Sequence, residues 1–235
     1  MKITCHMIMS VDGRLLPKYW SPLYNASSSV TEVYEAADAK LSADGWIVGR
    51  KTMAEYGADV VEEKEPMEGH KTMQTNTFIG KREGRPLAVV FDIQGRLHYK
   101  SPTLPSGEHI VAVLGSHVTR AYQKELEEIG VSYIMRTPGS KLEETQSALK
   151  HLEHDFNVKH MLLEGGAITC GNFLQMGLVD ELSMIVYPGL DGESGHPSVI
   201  ECQGVVEPLK KNHLELIDCE TIGSGYVWLR YNIHR

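Results

Sequence analysis

The stretch that most restricts this chain is Met161-Leu162-Leu163-Glu164-Gly165-Gly166-Ala167-Ile168, an apolar run that stops at an acid, passes two glycines and continues as a short amphipathic segment to Leu174. Consecutive apolar residues without polar alternation suit a strand buried on both faces, as found inside parallel sheets. Such a strand needs helices on either side. Gly165 and Gly166 lack a Cβ, so the turn can take positive φ and a ligand can approach its amides closely. A helix starting there directs free N–H groups and the positive end of its dipole at whatever lies over the turn, which favours an anion. The competing reading is tight strand-to-helix packing, because a lone Gly-Gly falls short of a dinucleotide fingerprint.

The rest of the chain has the length to build such a sheet. Its 235 residues, 42% of them hydrophobic, suffice for one large α/β domain. Net charge is −8 and no Lys/Arg block would track a phosphate backbone or an anionic lipid surface, so nucleic acid and membrane partners are not expected. The four cysteines, Cys5, Cys170, Cys202 and Cys219, lie far apart without a Cys-x-x-Cys pair, which fits reduced thiols in a cytoplasm and no structural metal. His151 and His154 lie three apart on a helical stretch, but without acids in a ligand pattern they read as a solvated face. The N-terminus reads as a strand rather than a signal segment, and no apolar run reaches the ~18 residues of a membrane span. A cytoplasmic enzyme or binding protein is expected.

Taken in order, Ile3 to Met9 predicts a buried strand closed by Asp12-Gly13. Leu15 to Ser29, with Tyr19, Trp20 and Tyr24, reads as an irregular loop, either a lid over a small molecule or a packed surface loop. Thr31 to Ser42 has helical spacing, and Trp46-Ile47-Val48 is a short strand. Residues 59–85 are polar and aperiodic and read as an insertion or hairpin excursion. Strands are expected at Leu87 to Phe91, Ile110 to Leu114, Val131 to Met135 and Asp180 to Pro188. Helices are expected at Val118 to Ile129, closed by Gly130, and after the capping box Ser140-Lys141-Leu142-Glu143, with Leu142, Leu149, Leu152 and Phe156 as the apolar stripe. Leu214 to Cys219 and Tyr226 to Tyr231 form a terminal antiparallel hairpin across Gly223-Ser224-Gly225. The alternation predicts a three-layer, doubly wound, mostly parallel α/β sheet with that hairpin at an edge, as a single domain over 1–235.

Ligands of such sheets collect at the strands' carboxyl ends. Four stretches fall there: Ser10-Val11-Asp12, Gly49-Arg50-Lys51-Thr52, Gly115-Ser116-His117 and Glu164-Gly165-Gly166. Gly49-Arg50-Lys51-Thr52 is either a small anion cradle or a solvated helix start, and its two cations oppose the helix dipole and so call for a compensating partner. Asp12 is either a pocket acid or a turn former, and Glu164 either a pocket acid or a cap on nearby amides.

Together these motifs resemble a known family. Ser10-Val11-Asp12-Gly13-Arg14, Ala43-Asp44-Gly45-Trp46-Ile47-Val48-Gly49-Arg50-Lys51-Thr52, Leu163-Glu164-Gly165-Gly166-Ala167, Gly177-Leu178-Val179-Asp180-Glu181-Leu182 with Tyr187-Pro188, and Leu229-Arg230-Tyr231 look like the pyrimidine reductase domain of riboflavin biosynthesis. That family shares the dihydrofolate reductase fold. The resemblance implies an NADPH-dependent reductase and a homodimer. The cofactor pyrophosphate would lie over Gly165, Gly166, Ala167 and Ile168, with Gly49, Arg50, Lys51, Thr52 and Ser116 also beside the cofactor. Asp12 and Glu164 would face the substrate, and hydride would pass to the C1′ of an open-chain imine.

One departure bears on the substrate. Relatives acting on a ribosyl 5′-phosphate usually carry arginines in and after the loop following the first strand, whereas here only Lys18 and Lys40 are cationic between Leu15 and Val48. A phosphate without charge-assisted partners forgoes roughly 1.5–3 kcal/mol for each missing bond. A reductase of another heterocycle, dihydrofolate reductase itself with Glu32, Glu35 or Asp38 as its pterin acid, and a non-catalytic NADPH-binding protein remain alternatives.

Overall fold

The computed structural model describes residues 1–25, 27–57, 60–69, 77–204 and 209–235. In chain order its elements begin β1 (Lys2–Ser10), α1 (Val30–Leu41), β2 (Gly45–Gly49), α2 (Arg50–Tyr56), β3 (Val60–Glu62), β4 (Leu87–Phe91), β5 (Leu97–Tyr99) and β6 (His109–Leu114). They continue as α3 (Arg120–Ile129), β7 (Ser132–Met135), α4 (Lys141–Asp155), β8 (His160–Gly165), α5 (Ala167–Gln175), β9 (Glu181–Tyr187), β10 (His213–Ile222) and β11 (Tyr226–His234). The chain is mixed α/β, with mostly parallel strands and an antiparallel C-terminal pair, the class that the alternation of elements predicts.

Contacts divide the chain into two compact units, Asp44–Lys159 with Met1, and Lys2–Ala43 with His160–Arg235. In the first unit the strands run β2-β4-β6-β7, each parallel to its neighbour. Val89, Val111 and Ile134 are fully buried, which the near-continuous apolar strand sequences require. The excursion expected over 59–85 contains β3, which pairs antiparallel with β5. It returns through a bridge between Phe78 and Tyr133. Residues 59 and 70–76 of that stretch lie outside the described residues. The stripe on α4 departs from expectation: Thr145, Ala148 and Leu152 are its buried residues, while Leu142 is 37% exposed. Leu142 is the second residue of the helix and lies within the capping box, where the chain has only begun to turn onto the core.

In the second unit the order is β10-β11-β9-β1-β8, with β9, β1 and β8 parallel and β11 and β10 antiparallel to the rest. β9 is therefore an interior strand, with Met184 and Ile185 buried between β1 and β11. The edge is β10, where Leu214, Leu216 and Ile217 are 51%, 54% and 44% exposed. Asp180 accepts the Ile3 N–H at 2.9 Å and its own N–H donates to Ile3 O at 2.9 Å. Glu181, nearly fully buried, receives Lys2 Nζ at 2.6 Å and the Arg230 Nε and Nη2 at 2.8 and 2.6 Å. Burial raises the Glu181 carboxyl, and these cationic donors outweigh it, leaving the group below its ordinary value. The acids of Gly-Leu-Val-Asp-Glu-Leu thus tie the amino end of β9 to β1 and β11.

His6, fully buried in β1, is a core residue. Its Nδ1 lies 2.8 Å from Ser183 Oγ on β9, and Trp228 of β11 donates to the same oxygen at 2.7 Å. Tyr34 stacks on its ring at 4.4 Å and donates to its main-chain oxygen at 2.9 Å. Burial holds this imidazole down at about 4, below its ordinary 6.5. Between those two values the unfolded chain binds more protons, so the stability conferred by neutral His6 is complete above pH 6.5 and disappears as pH falls toward 4. Urea unfolding should show the wild type losing up to about 3 kcal/mol from this group between neutral and acid pH. A His6→Gln chain, already weaker at neutral pH, should lose less by that amount, and equal losses in both chains would assign the acid sensitivity to other groups.

Candidate active site

In the second unit three neighbouring parallel strands, β9, β1 and β8, end side by side, and each is followed by a polar turn. After β8, Glu164 is half-buried and Gly165 has φ 125°, a conformation in which an L side chain would be strained. Gly166 is the N-cap of α5 with no side-chain cap, and the helix opens with Cys170 N–H on Gly166 O at 3.1 Å. Ala167 is buried and Ile168 is 39% exposed. The helix has the backbone of Glu201 close against it at Gly171, where an added Cβ would come within 1.9 Å of Glu201 O. Tyr34 lies near the acid of this turn: burial first, and then the negative charge of Glu164, raises its phenol well above the ordinary value.

After β1, the Asp12 carboxylate is exposed yet fully engaged. It accepts Ser10 Oγ at 2.6 Å, Asp191 N–H at 3.1 Å and Gly192 N–H at 2.8 Å. These bonds, the serine hydroxyl first, hold its carboxyl far below the usual carboxylate range. Asp12 is thus a turn former that also fastens the loop following β9. The aromatic loop is fastened to the same segment, through Ser21 N–H on Leu190 O at 2.8 Å, Tyr187 OH on Ser21 O at 2.8 Å and Leu15 N–H on Pro197 O at 3.0 Å. Trp20 is buried on the Tyr187 ring at 4.8 Å, Tyr19 stacks on His196 at 4.0 Å, and Tyr24 is almost wholly exposed. Of the three aromatics, two lock the loop and one is left to solvent.

In the first unit the parallel strands β2, β4 and β6 end in the same manner. Gly49 is the N-cap of α2, again without a side-chain cap. The compensating partner called for by cations at this helix start is Glu62 of β3, which pairs with Arg50 and also lies 3.3 Å from Arg96 Nη2. Burial, and then the charge of Arg96, lowers the Arg50 guanidinium from its ordinary value. Lys51 is exposed and Thr52 is half-buried. Asp92, at the end of β4 and fully buried, accepts the Arg96 and Leu97 amides at 2.7 and 2.8 Å, and burial raises its carboxyl. Ser116 stands in the turn after β6, half-buried. Between the turns after β4 and β6 lies a slot of about 320 Å³ lined by Pro66, Met67, Gln94, Gly95, His117 and Tyr122.

Sequence reasoning missed Arg96, Glu62 and this slot. Arg96 follows the turn Asp92-Ile93-Gln94-Gly95, whose position at a strand's carboxyl end is the signal that could have found it. Of the acids considered for a pterin, Glu32 is engaged in the capping box with Ser29, accepting its N–H at 2.7 Å.

Residues 1–228 match the RibD C-terminal domain, and the chain belongs to that family, the reductases of riboflavin biosynthesis. It is by family an oxidoreductase that acts on a small molecule with a nicotinamide cofactor. Its structure is similar to that of a pyrimidine reductase-like protein from Corynebacterium diphtheriae (TM-score 0.65, 19% identity, covering 100% of this chain and 92% of that one). It is similar to RibD of Acinetobacter baumannii (TM-score 0.65, 19% identity, 99% of this chain and 58% of that one). A third likeness is to the riboflavin biosynthesis reductase Rib7 of Saccharomyces cerevisiae (TM-score 0.61, 15% identity, 99% and 90%). At these identities the likeness carries the fold. No helix among the described residues is long and apolar enough to cross a membrane.

The engagement of Asp12 makes a direct test. Replacing Asp12 by Ala should speed hydrogen exchange at the Asp191 and Gly192 amides by at least about tenfold, since each loses its acceptor. Unchanged exchange at those two amides would mean that the loop is held without it.

Proposed function

We propose that the chain, acting as one reductase domain over 1–235, is an NADPH-dependent reductase of a glycosylaminopyrimidine or related heterocycle. The reaction most like it is 5-amino-6-(5-phosphoribosylamino)uracil reduction. The observation that carries this reading is a contrast among helix starts. Helices α1, α3 and α4 begin on Ser29, Thr119 and Ser140, whose side chains accept a first-turn N–H, whereas α2 and α5 begin on glycines with no side-chain cap. Uncapped amides at the carboxyl end of a parallel strand suit a phosphate. In the second unit Gly165, Gly166, Ala167 and Ile168 would hold the pyrophosphate. In the first, Gly49, Arg50, Lys51, Thr52 and Ser116 would lie by the cofactor.

The charge around Arg50 supports NADPH over NADH. Arg50, Lys51 and Arg96 gather at this helix start, with Glu62 and the buried Asp92 as the carboxylates set against them, and Arg96 and Lys51 suit a ribose 2′-phosphate. When bound, the nicotinamide supplies the hydride. The chain's own part is to orient the substrate and exclude water, with Glu164 toward an amino-pyrimidine edge or sugar hydroxyls and Asp12 holding the rim loop in place. A cytoplasmic homodimer completes the reading, with the apolar edge of β10 as the surface for the second copy.

A second reading is favoured by one observation. Lys18 lies over the Tyr19 ring at 4.9 Å and Lys40 is bonded to Glu220 at 2.9 Å, so both cations between Leu15 and Val48 are already engaged. Arg14 is bonded to His196 O at 2.7 Å. A substrate lacking the 5′-phosphate fits these constraints as well as one that carries it.

NADPH oxidation with the ribosylaminouracil, its dephosphorylated form, and a panel of pterins should give turnover with a pyrimidine. Failure to bind NADPH at millimolar concentration would remove the proposal, and tight binding without turnover would mark a non-catalytic nucleotide-binding protein. Two variants divide the roles. Arg96→Gln should weaken NADPH by about tenfold while leaving NADH affinity unchanged, in line with one lost charge-assisted contact. Glu164→Gln should leave the NADPH dissociation constant within a factor of about two and lower kcat by roughly 10²-fold. Equal loss of binding and turnover would instead make Glu164 a support of its own turn.

A further inference from the structure

We propose that His196, oriented by Asp191, is the general acid that opens the sugar ring of the substrate, an inference that rests on the reductase reading above. His196 lies in the loop after β9, the third of the three neighbouring strand ends in the second unit. β1 lies between β8 and β9 in this sheet, so the turn of Asp12 falls between the Glu164-Gly165-Gly166 turn and the loop of His196, and Asp12 bonds that loop directly at the Asp191 and Gly192 amides.

The imidazole is held from several sides. Its Nδ1 faces both oxygens of Asp191 at 2.8 and 3.0 Å, and the Asp191 side chain has no exposed surface while that of His196 keeps 19%. Tyr19 stacks on the ring at 4.0 Å, and Arg14 Nη1 donates to the His196 main-chain oxygen at 2.7 Å. Asp191 is itself placed by Asp12, which accepts its N–H at 3.1 Å, and it accepts the Glu193 N–H at 3.1 Å. A histidine in an ordinary solvated turn has no need of a buried carboxylate, an aromatic stack and an arginine. The arrangement does what a carboxylate–imidazole pair does elsewhere. The acid fixes the proton of the neutral ring on Nδ1, stabilises the imidazolium, and leaves Nε2 on the far edge to exchange a proton with a substrate. Asp191 and Tyr19 face the ring itself, Arg14 is bonded to the main-chain oxygen of His196, and Lys18 lies over the Tyr19 ring at 4.9 Å.

The step balances without any redox partner. Imidazolium Nε2–H gives its proton to the ring oxygen of a glycosylamine as the bond from that oxygen to C1′ breaks. The lone pair of the glycosidic nitrogen forms the C1′=N bond, leaving a hydroxyl on the sugar, an iminium ready for reduction, and neutral His196.

The test separates this step from hydride transfer. With no cofactor present, wild-type protein should accelerate exchange between the α and β anomers of the ribosylaminouracil, read by NMR magnetisation transfer, since exchange requires ring opening. His196→Gln should reduce that acceleration by at least about 10²-fold while keeping NADPH affinity within a factor of two, and added imidazole should restore part of it. Asp191→Asn, a second variant with the ring retained, should lower the exchange rate by at least about tenfold while NADPH affinity stays within a factor of two. NADPH oxidation by the wild type with anomer exchange unaffected by His196→Gln would overturn the role of His196 and leave the reductase reading standing. Absence of NADPH oxidation with every pyrimidine would overturn both. If His196→Gln fails to bind NADPH, the exchange rate of Asp191→Asn decides, and an unchanged rate rejects the proposal.

Discussion

Parallel alignment of β9, β1 and β8 is the constraint on which the second unit depends. A parallel strand cannot return through a tight turn, so three chain segments leave the sheet at one edge, each with backbone groups that need partners. The alignment is fixed at the opposite end. Asp180 exchanges hydrogen bonds with the Ile3 backbone, and Glu181 joins Lys2 to Arg230. A slip of one residue would turn His6, Cys5 and Ile3 to the wrong faces. With register set there, β9 and β1 end level at Tyr187 and Ser10 while β8 stops earlier, and each is closed differently: β8 by a glycine turn into a helix, β1 by Asp12, and β9 by a loop that Asp12 and Ser21 hold.

The first unit solves the same problem with buried charge. Asp92, fully buried at the end of β4, accepts two successive amides and so turns the chain sharply enough to bring Arg96 back to Glu62. Burial raises its carboxyl, so those amide bonds are what keep an acid at that position at all. Arg50 reaches the same Glu62 from the start of α2. Burial first, and then the charge of Arg96, lowers the Arg50 guanidinium, while the carboxylate of Asp92 opposes that shift.

Elements were readable in the sequence where a single periodicity governed them. The apolar strands, the capping box at Ser140, the stop at Gly130 and the terminal hairpin all depend on neighbours within a few residues, and they lie where the pattern puts them. β3 and β5 are three residues each and pair across an excursion, so no alternation was long enough to reveal them. The turns of the candidate site were visible as glycines at strand ends. Their side-chain partners were not, because Asp12 meets residues 191 and 192, and Arg50 meets Glu62, through the fold rather than through spacing.

The two units differ in how their cations are placed. The first unit gathers Arg50, Lys51 and Arg96 around one strand-end turn, where Glu62 joins the two guanidinium groups and Arg96 Nε donates to Glu63 O at 2.6 Å. Along the loop and helix between Leu15 and Val48, by contrast, each of the two lysines already has an aromatic or acidic partner, and Arg14 is committed to the His196 backbone. A phosphate on the substrate would have to draw a cation away from an existing contact, losing part of what it gained. Under the proposed function, substrate recognition would rest on shape and hydrogen bonding from Glu164, the rim that Asp12 holds and the aromatic loop, which would favour a flat heterocycle over a charged tail.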